Sequence, residues 1–379
     1  MASVQTAPIR LSKSVVGEQE LAAVRRVIER GFLGMGQEVK EFEEELAAFI
    51  GGDRHVVCVN TGTSALHLSI QACGIGPGDE VIVPTLTFVA SFQAVSATGA
   101  TPVACDVDAD TGCIDPDDAR RLINGRTRAI MPVHYASGRG RIDEVYALAR
   151  ERGLRVIEDA AHAFGCQHDG GMVGATGDIV CFSFDGIKNI TSGEGGAIVT
   201  SDGAVASAAR DARLLGVERD TDKRFAGQRS WEFDVTQQGW RYHMSDLMAA
   251  IGRAQLERFP EFAAARVALA RRYRELLTGV AGLRLLRLPY GAVVPHIFVA
   301  FVEGGQRDVV REALLREGIE CGIHYKPNHL LSRFGSDSVR LPVAERLYDE
   351  MLTLPLHPDL SFEQQDCVVD VLARALAGA

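Results

Sequence analysis

Short apolar runs recur between Val56 and Thr200, each bounded by polar or turn-forming residues: VVCVN, EVIVP, TPVACDV, AIMPVH, RVIEDA, IVCFSF and GAIVT. Runs of this length read as strands buried on both faces. Amphipathic stretches such as SALHLSIQACG and RIDEVYALARERG separate many of them. The alternation predicts an α/β sheet, largely parallel, with helices on both sides. Ahead of it, GEQELAAVRRVIERG predicts a helix with Leu21, Val24 and Ile28 on one face and Gly31 as its stop.

The pattern changes from about Asp246. MSDLMAAIGRAQLERFPEFAAARVALARRYRELL reads as a long helix, with Pro260 expected to break or kink it. Strand-like LRLLRL and HIFVAFV, a helix QRDVVREALLREG and a last helix from about Phe362 follow. The expected organisation is a large α/β domain over residues 1–245, then a connector helix and a small α+β domain over 246–379.

Composition narrows the class without changing the fold. A chain of 379 residues with 46% apolar and 24% charged residues fits a soluble globular protein. A net charge of −10 argues against nucleic-acid binding, which needs a basic face. No signal-peptide core opens the chain, and Val81–Ala104 is interrupted by Pro84, Thr85, Ser91 and Gln93, so no membrane partner is expected. Eight scattered cysteines form no CxxC pair and point to a reducing, cytoplasmic setting.

Several strand-like runs finish on a polar residue: Asn60, Thr85, Asp106, His134, Asp159 and Ser183. In open α/β sheets ligands bind outside the carboxyl ends of strands, so these ends are candidate lining. Three features carry specific chemistry. NTGTSALHL sets Thr61, Gly62, Thr63 and Ser64 at a helix N-terminus, which suits either a phosphate or plain capping. VIEDAAHAFG leaves Asp159 where a buried carboxylate needs a cationic partner or strong donors. CFSFDGIKNITSGEGGAIVT puts Lys188 in a loop between two apolar runs. Phosphate cradle, carboxylate and lysine together are what pyridoxal phosphate requires, with Phe88 available to stack on its ring. CGIHYKPNHL offers Cys321, His324 and His329, but neither a fourth ligand nor standard zinc spacing, so no metal is expected.

The succession NTGTSALHL, GDEVIVPTLTFVA, VIEDAAHAFG, CFSFDGIKN, TSGEGGAIVT, GWRYHMSDLMAAIG and GIHYKPNHL resembles the DegT/DnrJ/EryC1/StrS family of sugar aminotransferases. The resemblance runs from about Leu11 to the C-terminus. It implies a fold-type I enzyme with a mostly parallel seven-stranded sheet and pyridoxal 5′-phosphate as cofactor. Lys188 matches the lysine that holds the cofactor, Asp159 the partner of its ring nitrogen and His162 the contact to its ring hydroxyl. Phe88 matches the stacking aromatic, and Thr63, Ser64 and Ser183 match phosphate contacts. His324, Tyr325, Lys326 and His329 match the rim of a nucleotide-sugar pocket.

The family works as a homodimer with shared sites, and Arg241 stands where many members place the asparagine that reaches the partner's phosphate. The implied reaction moves an amino group from glutamate to a nucleotide-linked keto-sugar, best read as a dTDP-4-keto-6-deoxyhexose. A 3-keto-sugar is the alternative. A sugar dehydratase of the family would carry histidine in place of Lys188, and a non-enzymatic regulator would be expected to have lost part of this set.

Overall fold

Every apolar run becomes a strand. The computed structural model describes residues 8–168, 171–218, 220–228, 231–335 and 338–378. Its main sheet contains β1 (His55–Val59), β2 (Glu80–Pro84), β3 (Thr101–Cys105), β4 (Thr127–Ile130) and β5 (Arg155–Asp159). After a small hairpin of β6 (Gln167–His168) and β7 (Gly171–Met172), it is completed by β8 (Ile179–Ser183) and β9 (Gly196–Thr200). The strand order is β1-β9-β8-β5-β4-β2-β3. Only β9 opposes its neighbours; the remaining pairs are parallel.

Successive side chains on a strand face opposite ways, and both faces here are covered. Val56, Cys58, Val180 and Phe182 enter one core with α2 (Gln37–Ile50) and the first half of a long helix. Val57, Val59, Ile179 and Cys181 enter the other, beneath α3 (Gly62–Ala72), α4 (Val89–Ala97) and α7 (Gly203–Ala212). Helices α5 (Pro116–Leu122), α6 (Ile142–Arg152) and α8 (Asp220–Phe225) complete this part. Continuous apolar strands are the direct result of that double burial.

The long helix α9 (Asp246–Leu277) runs unbroken through Pro260, contrary to the expected break. Pro260 lies on its exposed side, where the unmatched carbonyl one turn back can be hydrated. Ala249 and Phe259 of α9 belong to the large sheet's core, while Leu269, Tyr273 and Leu277 belong to a second. That second core lies on an antiparallel sheet of β10 (Leu283–Leu285), β11 (Phe298–Val302) and β12 (Met351–Leu354). Helices α10 (Arg307–Arg316), α11 (Pro342–Glu350) and α12 (Phe362–Ala377) surround it.

The first helix, α1 (Glu18–Arg30), ends at Gly31 with φ 75°, as its sequence predicts. Its buried face is different from the expected one. Glu20, Ala23 and Val27 are buried, whereas Leu21 and Ile28 are 60% and 59% exposed. Two things turn the helix: Ala23 and Val27 pack on Ala250 and Ala254 of α9, and Glu20 accepts hydrogen bonds from Gln255 at 2.7 Å and Arg258 at 2.9 Å. A small-on-small contact with a buried ion pair fixes the orientation that periodicity alone assigned to the larger side chains. Among the described residues no helix is long and apolar enough to cross a membrane.

Candidate active site

The antiparallel β8–β9 pair explains the loop that holds Lys188. Residues 184–195 form its hairpin, closed by Phe184 N to Gly195 O at 2.8 Å and Ser192 N to Phe184 O at 2.9 Å. Inside it the buried Asn189 side chain donates to Phe164 O and Val294 O, both at 3.0 Å. The loop is thereby tied to the turn after β5 and to the segment entering β11. Gly165 in that turn has φ 77°, and a Cβ there would meet the Phe259 ring at 1.9 Å, so only glycine lets α9 approach.

A cavity of about 490 Å³ opens at the carboxyl ends of β5 and β8. Lys188, Asp159, His162, Ser183, Phe88 and Thr63 all line it, joined by His324 and Tyr325 from the segment between α10 and α11. Asp159 is buried, and its carboxylate accepts from Ser91 Oγ at 2.7 Å and Ala161 N at 3.2 Å. Phe88 is 55% exposed at the opening, with its ring 5.6 Å from that of Tyr325. Tyr325 OH lies 3.1 Å from His162 Nε2.

Burial governs the protonation of these groups. It lowers the Lys188 pKa below the usual lysine value, with Asp185 and Asp159 opposing and Arg266 adding to the effect. His162 falls well below the ordinary histidine value through burial first and the Lys188 charge second. His324 drops to about 4 for the same two reasons. At neutral pH these imidazoles are uncharged, and the lysine amine is more readily deprotonated than a surface one.

The helix N-terminus beside the cavity resolves the choice between cradle and cap by dividing it. Thr61 caps α3, accepting from Ser64 N at 3.0 Å, and Ser64 Oγ donates to Asn60 Oδ1 at 2.8 Å. The Ser64 hydroxyl is consumed in this capping box and lies outside the cavity lining, contrary to the expected phosphate contact. Thr63 and Gly62 do line it. A Cβ on Gly62 would meet Ser183 Cβ at 2.8 Å, so glycine is what brings the helix N-terminus against the end of β8.

The other strand ends are structural. Asp106 accepts from Val343 N at 3.1 Å and Ala344 N at 2.8 Å, capping α11 from outside that helix. His134 turns to the opposite face and pairs with Glu158 at 2.7 Å, leaving Val133 in the lining. Thr85 holds His329, whose Nδ1 lies 2.8 Å from its hydroxyl and whose Nε2 lies 3.1 Å from Glu345. His329 is therefore a buried tether, not a rim residue; with Asn328, which donates to Thr85 O and Thr87 O, it positions Tyr325 and His324. Lys326 and Arg241 are exposed and stand outside the cavity lining of their own chain.

Sequence reading missed Ser91, Asp185, Glu194 and His296. Asp185 and Glu194 line the cavity from the Lys188 hairpin. His296 Nε2 lies 3.4 Å from Lys188 Nζ. The Lys188 motif contained Asp185 and Glu194, and Ser91 directly follows the quoted run that ends at Ala90, but nothing local to His296 marks it, because the small sheet delivers it across 108 residues.

A lysine facing a buried carboxylate across a cavity that a helix N-terminus closes is the arrangement of a pyridoxal phosphate enzyme. The model of the DegT/DnrJ/EryC1/StrS aminotransferase family matches residues 15–373, and the chain belongs to that family. It is similar to the spore coat polysaccharide biosynthesis protein SpsC of Bacillus subtilis, with 35% identity over 97% of each chain. Among solved structures it resembles the aminotransferase TlmJ from Streptoalloteichus hindustanus, at 36% identity and TM-score 0.91 over 98% of this chain and 100% of that one. It also resembles the sugar-aminotransferase candidate Spr1654 from Streptococcus pneumoniae in its PLP form, at 28% identity and TM-score 0.90 over 98% and 99%. A PMP form of that protein is equally similar. The chain is thus a sugar aminotransferase of a pyridoxal phosphate-dependent family, with the fold-type I architecture.

Proposed function

We propose that this enzyme transfers an amino group from L-glutamate to a nucleoside-diphosphate 4-keto-6-deoxyhexose, dTDP-linked, giving the 4-amino sugar. The observation that carries the reaction type is the convergence of Lys188, Asp159, His162 and the α3 N-terminus on one cavity. Thr63, Gly62 and Ser183 would hold the cofactor phosphate, Asp159 its ring nitrogen, His162 its ring hydroxyl and Phe88 its face. Pyridoxal phosphate would supply an electron sink for the carbon that loses its proton. Lys188, its amine made easier to deprotonate by burial, takes that proton and returns it one position away. Tyr325 and His324 border the space left for the sugar.

Support for a nucleotide-linked substrate comes from donors suited to a diphosphate. Arg241 and Lys326 are exposed cations on the segments that the family places near the sugar nucleotide. Arg241 lies outside its own chain's cavity, and Leu215, Trp231, Phe233 and Val235 expose apolar surface close by in sequence. Both features favour a homodimer in which Arg241 completes the partner's site, reaching phosphate or diphosphate. Eight free cysteines favour a cytoplasmic enzyme. We place the domain boundary near residue 245, where α9 begins to bridge the two cores.

The substrate test loads the enzyme with pyridoxamine phosphate and adds 4-keto and 3-keto nucleotide sugars separately, with free hexose and 2-oxoglutarate as controls. The PLP spectrum is expected to return with the 4-keto compound and with 2-oxoglutarate. Return with only the 3-keto sugar would overturn the regiochemistry; return with 2-oxoglutarate and no sugar nucleotide would overturn the substrate class. Shared sites are tested by mixing inactive Lys188→Ala and Arg241→Ala subunits. One hybrid site then has both residues, so partial activity is expected, and none despite demonstrated subunit exchange would refute the sharing.

A further inference from the structure

His296 has no part in the reading above, yet its surroundings hold it against the reactive lysine. It sits just before β11 and is buried. Its backbone is fixed from two sides: its N–H donates to Ser137 Oγ at 3.0 Å, and its carbonyl accepts from Arg266 Nη1 at 3.1 Å. The Ser137 hydroxyl also lies within hydrogen-bonding reach of the carbonyls of His162 and, at 3.0 Å, Val294, which share its single proton, and Ser137 itself has φ 72°. The left-handed backbone is unfavourable for a serine, and the hydrogen bonds of its side chain hold it there. Arg266, itself buried, also reaches Ile187 O at 3.5 Å, beside Lys188. The His296 ring is packed 4.5 Å from that of His162.

Ring orientation and chemistry follow from this frame. Among the described residues, the His296 ring is the one group within hydrogen-bonding distance of Lys188 Nζ, at 3.4 Å. The charges facing the amine are Asp185 on its own hairpin, Asp159 on β5 and Arg266 on α9. The neighbouring imidazoles, His162 after β5 and His324 between α10 and α11, are pushed below their usual pKa by burial, as is His296. A neutral imidazole can present Nε2 as an acceptor only by carrying its proton on Nδ1. His296 Nδ1 is buried with no protein partner. His296 also lines a pocket of about 20 Å³ with Ser12, His324 and Thr353, room for one water, which could accept that proton's hydrogen bond.

We propose that His296 is a positioning residue for Lys188: its Nε2 accepts a hydrogen bond from the free lysine amine. It thereby holds the amine at the cavity wall, opposite Asp159, in both its neutral and its protonated form. A lysine that collects a proton in a site stripped of water needs such an acceptor each time it becomes an ammonium. The inference rests on Lys188 being the reactive amine of the site, but not on which sugar is aminated.

The test uses the apoprotein and reads the lysine itself. Trace acylation across a pH series, followed by mass spectrometry of the Lys188 peptide, gives its apparent pKa, with Lys13, Lys40 and Lys326 as surface references. In His296→Leu the ammonium loses its acceptor, and the apparent pKa should fall by about one unit. In His296→Gln the amide oxygen reaches the position of Nε2, and the pKa should stay within a few tenths of the unsubstituted protein. His296→Asn is one methylene too short and should behave as leucine does. If the leucine variant does not fold, the Asn and Gln pair decides the matter. An unchanged or raised pKa in both Leu and Asn overturns the proposal, as does a fall in Gln equal to theirs. Because labelling needs neither cofactor nor sugar, a failed keto-sugar assay leaves this result standing.

Discussion

Lys188→Ala should leave a folded protein with transamination reduced at least about 1,000-fold, equivalent to roughly 4 kcal/mol of barrier. The side chain lines the cavity and makes no other hydrogen bond among the described residues than that to His296. The hairpin is held instead by Asn189, Thr191 and the Phe184 backbone. Its removal therefore takes away the base without taking away the loop. Single-turnover rates with glutamate measure the loss, and a near-normal thermal unfolding midpoint separates it from misfolding. A variant retaining a tenth of normal turnover would mean that another group moves the proton.

Asp159→Asn should lower turnover by roughly 100-fold or more, about 2.7 kcal/mol. The amide is isosteric: its oxygen can still accept from Ala161 N in the place of Oδ1, while its NH2, in the place of Oδ2, can donate to Ser91 Oγ, whose own proton can turn to Thr87 Oγ1, so the packing at the end of β5 is preserved. What is lost is the negative charge that would keep a ring nitrogen protonated and the electron sink deep. Cofactor content and kcat, measured together, distinguish the two roles. Near-normal turnover with full cofactor occupancy would reduce Asp159 to a turn residue.

Much of this architecture was legible because strands buried on both faces have no choice of composition. Seven apolar runs became seven strands, and the helix from Asp246 was plain from its length. Side-chain direction was less legible. Glu158 and Asp159 are adjacent carboxylates at one strand end, yet strand alternation sends Glu158 to His134 and Tyr146 and Asp159 to the cavity. Ser64 and His329 have the right chemistry for ligand contacts but are spent on a helix cap and a loop tether. Leu21 and Ile28 suggested the inner face of α1, which the Glu20 ion pairs and the alanines of α9 turned outward. His296 depends on a contact between two sheets, and no local pattern encodes that.

Lys188 as the residue that carries the cofactor is the central claim, and covalent trapping tests it most directly. The purified enzyme, saturated with pyridoxal phosphate, is reduced with borohydride and digested, and the modified peptide is sequenced by mass spectrometry. The account predicts a single pyridoxyl group, on Lys188 in the peptide that spans Asp185–Thr191. A stoichiometric pyridoxyl group on any other lysine, with Lys188 unmodified, would contradict it.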